Sequence, residues 1–423
     1  MTAVVGILNK TGIAIAADSA VTVGNVQGSK VYNFANKIFM LSKYRPVGIV
    51  IYYRADFMGI PWEVLIKDYR NELDEKSFGT IKEYQEDFIR WMIQNELFYQ
   101  DINPSVLLRE VRDFLRSIFS HNLQNSEPID LDTVNRINDF YTVHVENSER
   151  LIDLSPTEIS ALSKKIVPIV NGLLDTVGVD EQSREEITNG ISRVVCDYLA
   201  RDILVNYTGI VFAGYGDKEL FPRLVSIKVS VALSKKILRY TIDEEVHISH
   251  EMESAVVPFA QKDVIQTILQ GMSPHMFQAT SEILEGFLHG LLEASKELGT
   301  IDLSSFTKDQ LDQGIKLLST LYHQGIADKM KSEHYNPMLK TISHLGREDL
   351  AEMAESLIYM TYLNRRFTMQ EESVGGPVDV ALITRGDGFV WMKRKHYFEP
   401  ATNHHFFNNY FSKNNGERDQ TEL

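Results

Sequence analysis

Two apolar runs, Ala3 to Leu8 and Ile13 to Ala17, stand on either side of the turn cluster Asn9-Lys10-Thr11-Gly12. β-leaning residues flanking a short Asn/Gly turn define a hairpin. The chain therefore opens as antiparallel β structure, and the rest has to be built onto it. A third strand-like run spans Lys37 to Leu41 and a fourth spans Val47 to Tyr53. The fourth is almost continuously apolar, which predicts burial on both faces.

From Asp56 to about Asn206 the period changes. Val64, Leu65 and Ile66 fall in one helix, and Leu107, Leu108, Val111, Leu115, Ile118 and Phe119 trace the apolar stripe of another. Ser155-Pro156-Thr157-Glu158 is a helix start, with a Ser cap, Pro at the first position and a carboxylate in the first turn. Strand character returns at Gly209 to Tyr215, Leu224 to Val231 and Ile237 to Ile242. A second helical block runs from about Gln261 to Arg366, with starts at Ser273-Pro274 and before Arg347. Val378 to Ile383, the turn Gly386-Asp387-Gly388 and Phe389 to Met392 close the chain as a last hairpin. Strands joined by hairpins pair antiparallel, and two helical blocks must cover them, which is an α+β layout.

Charge narrows the function. Lys and Arg number 43 against 58 Asp and Glu, a net charge of −15 over 423 residues. Such a balance argues against nucleic-acid binding, which needs a basic footprint, and against a polybasic membrane-surface protein. Cys196 is the one cysteine, so neither an intramolecular disulfide nor a cysteine-based metal site can form within one chain. A lone thiol fits a reducing compartment. No signal peptide is read at the N-terminus and no apolar window is long enough to span a bilayer, so a cytoplasmic location is expected. His247-x-x-His250-Glu251 lacks the helical spacing of a metal-binding histidine pair and reads as a solvated loop, and Lys393-Arg394-Lys395-His396 reads as an exposed strand end.

The chemistry is expected at the other end. Thr2 follows the initiator, and a small second residue permits Met1 removal. The mature chain would then begin with an amine beside a secondary hydroxyl, in which the amine is the base and the hydroxyl the nucleophile. An α-amine titrates at about 7.7–8.0, so it can serve as a base near neutrality. Asp18 ends the second strand, which places it across the hairpin from the chain's start, and Lys37 begins the third. A lysine cation held by that carboxylate would lower the pKa of a neighbouring amine or hydroxyl.

These residues resemble proteasome β subunits and their bacterial relatives, the N-terminal-nucleophile hydrolases. That family shows an N-terminal Thr, a hairpin ending in Ala-Ala-Asp-Ser, a Lys on the next strand and an apolar strand running into a helix. Here Thr2 to Asp18-Ser19 matches without a gap, and Lys37-Ile38-Phe39-Met40-Leu41 matches the lysine strand, with Lys30-Val31 as the competing position. Tyr52-Tyr53-Arg54-Ala55-Asp56 falls where the family has Gly-Gly-x-Ala-Asp. Glu371-Glu372-Ser373-Val374-Gly375-Gly376 resembles its Asp-x-Ser-Ser-Gly-Gly segment.

The resemblance implies a four-layer αββα sandwich. Core segments would be residues 1–70, 205–271 and 348–411, with helical insertions at 71–204 and 272–347 and a flexible tail at 412–423. It implies catalytic Thr2, Asp18 and Lys37, supporting Glu371 and Ser373, and an oxyanion held by the backbone N–H of Tyr52 or Tyr53. The implied activity is hydrolysis of an amide bond in a peptide or protein, with no metal or organic cofactor. A homo-oligomer is implied as well; an ATPase or adaptor partner cannot be named from the sequence. The chain departs from the family at the double glycine, at Pro258-Phe259-Ala260-Gln261 where the family has Gly-Ser-Gly-Ser, and at Glu371 and Val374. Those departures keep two alternatives open: a non-catalytic scaffold or binding protein with the same fold, and an amidase acting on a small molecule.

Overall fold

In the computed structural model, the described residues are 2–25, 28–32, 34–95, 104–125, 127–145, 155–179, 181–201, 204–234, 237–298, 307–368, 375–396, 398–399 and 402–405. The expected supporting residues Glu371 and Ser373, and the expected tail at 412–423, lie outside them.

In chain order the first strands are β1 (Val4–Asn9), β2 (Gly12–Ala17), β3 (Val21–Asn25), β4 (Gly28–Tyr32), β5 (Ile38–Met40), β6 (Val47–Tyr53), β7 (Asp56–Phe57) and β8 (Ile60–Pro61). Helices follow as α1 (Trp62–Leu73), α2 (Ile81–Gln94), α3 (Pro104–Ile118), α4 (Ser120–Asn125), α5 (Leu131–Val145), α6 (Pro156–Val177) and α7 (Arg184–Ala200). Then come β9 (Thr208–Gly214), β10 (Arg223–Ser234), β11 (Ile237–His247) and β12 (Ser254–Phe259). The second helical block comprises α8 (Lys262–Gln270), α9 (Pro274–Leu298), α10 (Lys308–Met330), a π-helical turn (Lys331–Tyr335), α11 (Asn336–Ile342) and α12 (Arg347–Phe367), before β13 (Asp379–Thr384) and β14 (Gly388–Lys393).

Ten of these strands make two five-stranded sheets, in the orders β12-β1-β2-β13-β14 and β11-β10-β9-β6-β5. All named strand pairs among the described residues are antiparallel. The sheets face one another across an apolar layer to which the first contributes Val4, Leu8, Ile13 and Ile15 and the second Val50, Val211, Ala213 and Leu224. On the far side of the first sheet, Val5, Ile7, Ala14 and Val380 meet Leu350, Ala354, Leu357 and Ile358 of α12. On the far side of the second, Ile49, Phe212 and Val225 meet Trp62, Leu65 and Tyr69 of α1 and Phe88 of α2. A strand covered on both faces must be apolar at successive positions rather than alternating, which is how β1, β2 and β6 read. The four layers are thus helix, sheet, sheet, helix, the αββα sandwich expected.

The helices α3, α5, α6 and α7 enclose a separate apolar core. α6 begins where predicted, with the Ser155 hydroxyl capping Glu158 and the Glu158 side chain reaching back to the Ser155 backbone. Glu110 on α3 joins this core to the second sheet, accepting from Tyr198 Oη at 2.6 Å, Ser230 Oγ at 3.1 Å and the fully buried Arg239 at 3.4 Å. α2 falls within the 71–204 stretch yet packs on the sandwich, so the separate helical core starts at α3.

Gly209 on β9 is required by its neighbour: a Cβ there would lie 1.9 Å from the Tyr52 ring. Gly209→Ala is expected to destabilise the protein by about 3 kcal/mol, an overpacking penalty that urea unfolding would read as a lower midpoint at unchanged slope.

Candidate active site

The β1–β2 register pairs Val4 with Ala17, so the hairpin carries Ala3 and Asp18 onto one another. Asp18 N–H donates to the Ala3 carbonyl at 3.1 Å, and Ala3 N–H donates to Asp18 Oδ1 at 2.9 Å. The other carboxylate oxygen accepts from Ala20 N at 3.2 Å and from Gly375 N at 3.1 Å. Lys37, immediately before β5 in the opposite sheet, completes the set. Its Nζ lies 2.6 Å from Asp18 Oδ1 and 2.7 Å from the Ala20 carbonyl. Asp18 is 1% exposed and Lys37 4%.

Burial is the chief influence on Lys37 and pushes its pKa down; the Asp18 carboxylate opposes it by charge and by hydrogen bond. A buried ammonium persists only if a carboxylate and further acceptors replace its water. Asp18 and the Ala20 carbonyl do that here. Lys30 is the competing lysine of the sequence; its side chain lies outside the described residues.

Thr2 is 3% exposed and precedes Ala3, whose amide is bonded to Asp18. Covalent geometry then puts Thr2 Cα within about 5 Å of the Asp18 carboxylate. The structure therefore brings together all three residues expected to be catalytic.

Tyr52 and Tyr53 end β6, paired with Gly209 and Thr208. The Tyr52 ring is buried over Gly209 and lies 5.4 Å from the ring of Phe259, and Phe259 pairs with Val4 at the head of β1. Its hydroxyl is 3.3 Å from Ser226 Oγ and donates to Asp243 at 3.3 Å. Burial pushes the phenol pKa up. Tyr53 has φ +67°, the left-handed conformation that glycine takes freely, and its ring stands edge-on to Tyr207 at 5.0 Å. The backbone at Tyr53 thus takes a glycine-type conformation without a glycine. Phe259 is followed by two more left-handed residues, Ala260 at φ +51° and Gln261 at +44°. Gly375 and Pro377, beyond the undescribed Glu371 and Ser373, do reach the site: Ser19 N–H donates to the Gly375 carbonyl and Ser19 Oγ to that of Pro377.

Sequence reasoning missed Asp379 and Lys395. Asp379 opens β13, faces Ala17 of β2, and is bonded through its carboxylate to both the backbone N–H and the Nζ of Lys395. Lys395 was grouped with an exposed basic strand end, but its side chain turns inward and is 8% exposed. The available signal was Asp379 itself, an acid inside the apolar run Val378 to Ile383. Among the described residues, no group of three or more His, Cys, Asp or Glu is placed to hold a metal ion, and no helix is long and apolar enough to cross a membrane.

No protein-family model and no curated protein matches the chain. Several solved structures are similar. A Gly-1 mutant of Anbu from Hyphomicrobium sp. strain MC1 aligns over 100% of both chains, at a TM-score of 0.32 and 7% identity. Anbu from Yersinia bercovieri, described as an ancestral beta-subunit, aligns over 97% of this chain and 95% of its own, at 0.29 and 9%. The Anbu complex of Pseudomonas aeruginosa, a helical assembly, aligns over 98% and 95%, at 0.29 and 7%. At TM-scores this low the likeness carries no argument, and the reading of the site stands on its geometry.

Lys37→Met would leave the Asp18 carboxylate buried without its cation. We expect a loss of about 3–5 kcal/mol in urea unfolding, with Asp18→Asn/Lys37→Met losing less than the sum of the single variants. A lowered Lys37 pKa means that, below the ordinary value of 10.5, the folded chain holds fewer protons at this site than the unfolded one. The Lys37 contribution to stability should therefore rise with pH through that window, and Lys37→Met should abolish the rise.

Proposed function

We propose that the protein is an N-terminal-nucleophile threonine hydrolase that cleaves amide bonds in peptides or proteins. The observation that carries the reading is the buried Asp18–Lys37 pair bonded to the amide next to Thr2. A purely structural ion pair has no need of that position, whereas a terminal nucleophile needs charge there.

Removal of Met1 frees the Thr2 amine. Thr2 Oγ attacks the substrate carbonyl while its proton passes to the amine, directly or through one water. The resulting oxyanion accepts hydrogen bonds from the backbone N–H of Tyr52 or Tyr53. The ammonium then gives its proton to the departing amine, the C–N bond breaks, and a threonyl ester remains. Water adds to the ester with the amine again taking the proton, and the acid product leaves with Thr2 regenerated. Asp18 fixes Lys37, and the Lys37 cation disfavours a proton on the Thr2 amine, which keeps the base unprotonated near neutrality. No step calls for a metal or an organic cofactor.

The proposal includes a homo-oligomer. Ile283 and Phe287 of α9 and Leu317 and Leu321 of α10 are more than half exposed, apolar surface of the kind that association covers. A sedimentation coefficient of the monomer at micromolar concentration would remove this part.

One observation favours a non-catalytic scaffold. The Tyr52 and Phe259 rings occupy ground beside Val4 where the resemblance implies glycine and serine. The two readings separate on one preparation. The hydrolase predicts a mature mass lacking Met1, labelling of Thr2 by a peptide epoxyketone, and loss of amide hydrolysis by at least about 100-fold in Thr2→Ala. Retained Met1 together with no hydrolysis would assign the scaffold, and hydrolysis unchanged in Thr2→Ala would remove Thr2 as the nucleophile.

A further inference from the structure

A second buried lysine–carboxylate pair hangs beside the first. β13 runs next to β2, and Asp379 stands opposite Ala17, the residue before Asp18. Neighbouring strands lie about 5 Å apart, so the two acids sit on adjoining backbones. The approach to β13 is tied to the same spot through Gly375 N–H on Asp18 Oδ2, Ser19 N–H on the Gly375 carbonyl and Ser19 Oγ on the Pro377 carbonyl at 2.5 Å. Asp379 is 3% exposed, and its carboxylate takes the Lys395 backbone N–H at 2.8 Å as well as the Lys395 ammonium. This double attachment fixes the chain just after β14 against the start of β13.

We propose that Asp379 and Lys395 form a tuning ion pair for the Thr2 site, both acting as positioning residues through Lys37. Among the described residues, the charges that bear most on Lys37 come from three elements: Asp18 after β2, Asp379 on β13 and Lys395 after β14. Asp379 favours the Lys37 ammonium and Lys395 disfavours it. Either alone would disturb the site. An unpaired Lys395 would drive the proton from Lys37, and an unpaired Asp379 would add negative charge that makes Lys37 hold its proton more tightly. Held together they present a nearly neutral pair, so that Asp18 alone dominates the field at Lys37. The consequence for catalysis rests on the threonine-hydrolase reading; the charge coupling does not.

The test is a direct titration of Lys37 in the full chain, from carbon-13 at the ε position of lysine, with the Lys37 signal assigned by its loss in Lys37→Arg. In Lys395→Met the midpoint should rise, and in Asp379→Asn it should fall, each by roughly half to one pH unit. In Asp379→Asn/Lys395→Met, which removes both charges, it should return toward that of the parent chain. Asp379→Asn leaves a buried cation and is the variant at risk of failing to fold; Lys395→Met and the double variant then decide alone. A midpoint that stays put in the folded variants, or that moves the same way in both single ones, would overturn the proposal. Where the mature enzyme hydrolyses an amide, the alkaline limb of kcat/KM should move with the Lys37 midpoint. Where it does not, the hydrolase reading falls while the titration still decides this one.

Discussion

A lysine shut away from water keeps its charge only where a carboxylate stands against it, and the site is organised around meeting that condition for Lys37. Asp18 and Lys37 belong to different sheets, so their contact closes the gap between the two β layers at one end. The same carboxylate gathers amides from Ala3, Ala20 and Gly375, segments that are distant in sequence or sit at a strand end. With each of these donors drawn to one group, displacement of any of them leaves a buried charge less well satisfied, which is costly in a low-dielectric interior. The ion pair therefore fixes the geometry of the first residues more firmly than apolar packing, which tolerates small slips, could do.

Elsewhere between the sheets apolar contacts prevail, and buried polar groups are gathered into clusters. Asp379 carries both donors of Lys395, and the Tyr52 hydroxyl reaches Ser226 and Asp243. Glu110 repeats the device where the helical core meets the second sheet, with Arg239, Tyr198 and Ser230 around one carboxylate oxygen. Such clusters specify one arrangement of layers, because a shifted sheet or helix would strand a charge. The helical block is thus pinned to the sandwich at a defined place, even though its own core is separate.

The legible parts of this structure were those governed by local rules. The Asn9-to-Gly12 turn sets the β1–β2 register, and register carries Asp18 back to Ala3 without knowledge of the rest of the fold. The Ser155 cap and the start of α12 after Gly346 are local in the same sense. Lys37 is not: its place against Asp18 depends on how two sheets stack, and the resemblance was needed to prefer it to Lys30. The Asp379–Lys395 pair closes across the last hairpin, which is legible, but its place beside Asp18 depends on β13 being the neighbour of β2. The hairpin of β3 and β4 gives a weaker local signal, because glycine, asparagine, glutamine and serine interrupt the valines of Val21 to Tyr32. Tyr53 shows the opposite failure. A glycine would have marked the left-handed turn, and a tyrosine at φ +67° hides it.

That hidden turn is held by its surroundings and not by the residue type. A non-glycine residue held at positive φ costs about 1–3 kcal/mol and persists only where its surroundings hold it there. Tyr53 is held by the Tyr207 ring and by the Tyr52 ring, 5.2 Å away, whose own position depends on Gly209 leaving room beneath it. Gly209, on the neighbouring strand, makes the space that the Tyr52 ring fills. The turn at Tyr53 keeps its direction by packing instead of by conformational freedom. Under the hydrolase proposal, a backbone donor held in this way would be stiffer than one carried on glycine, and a rigid donor is what a developing oxyanion needs.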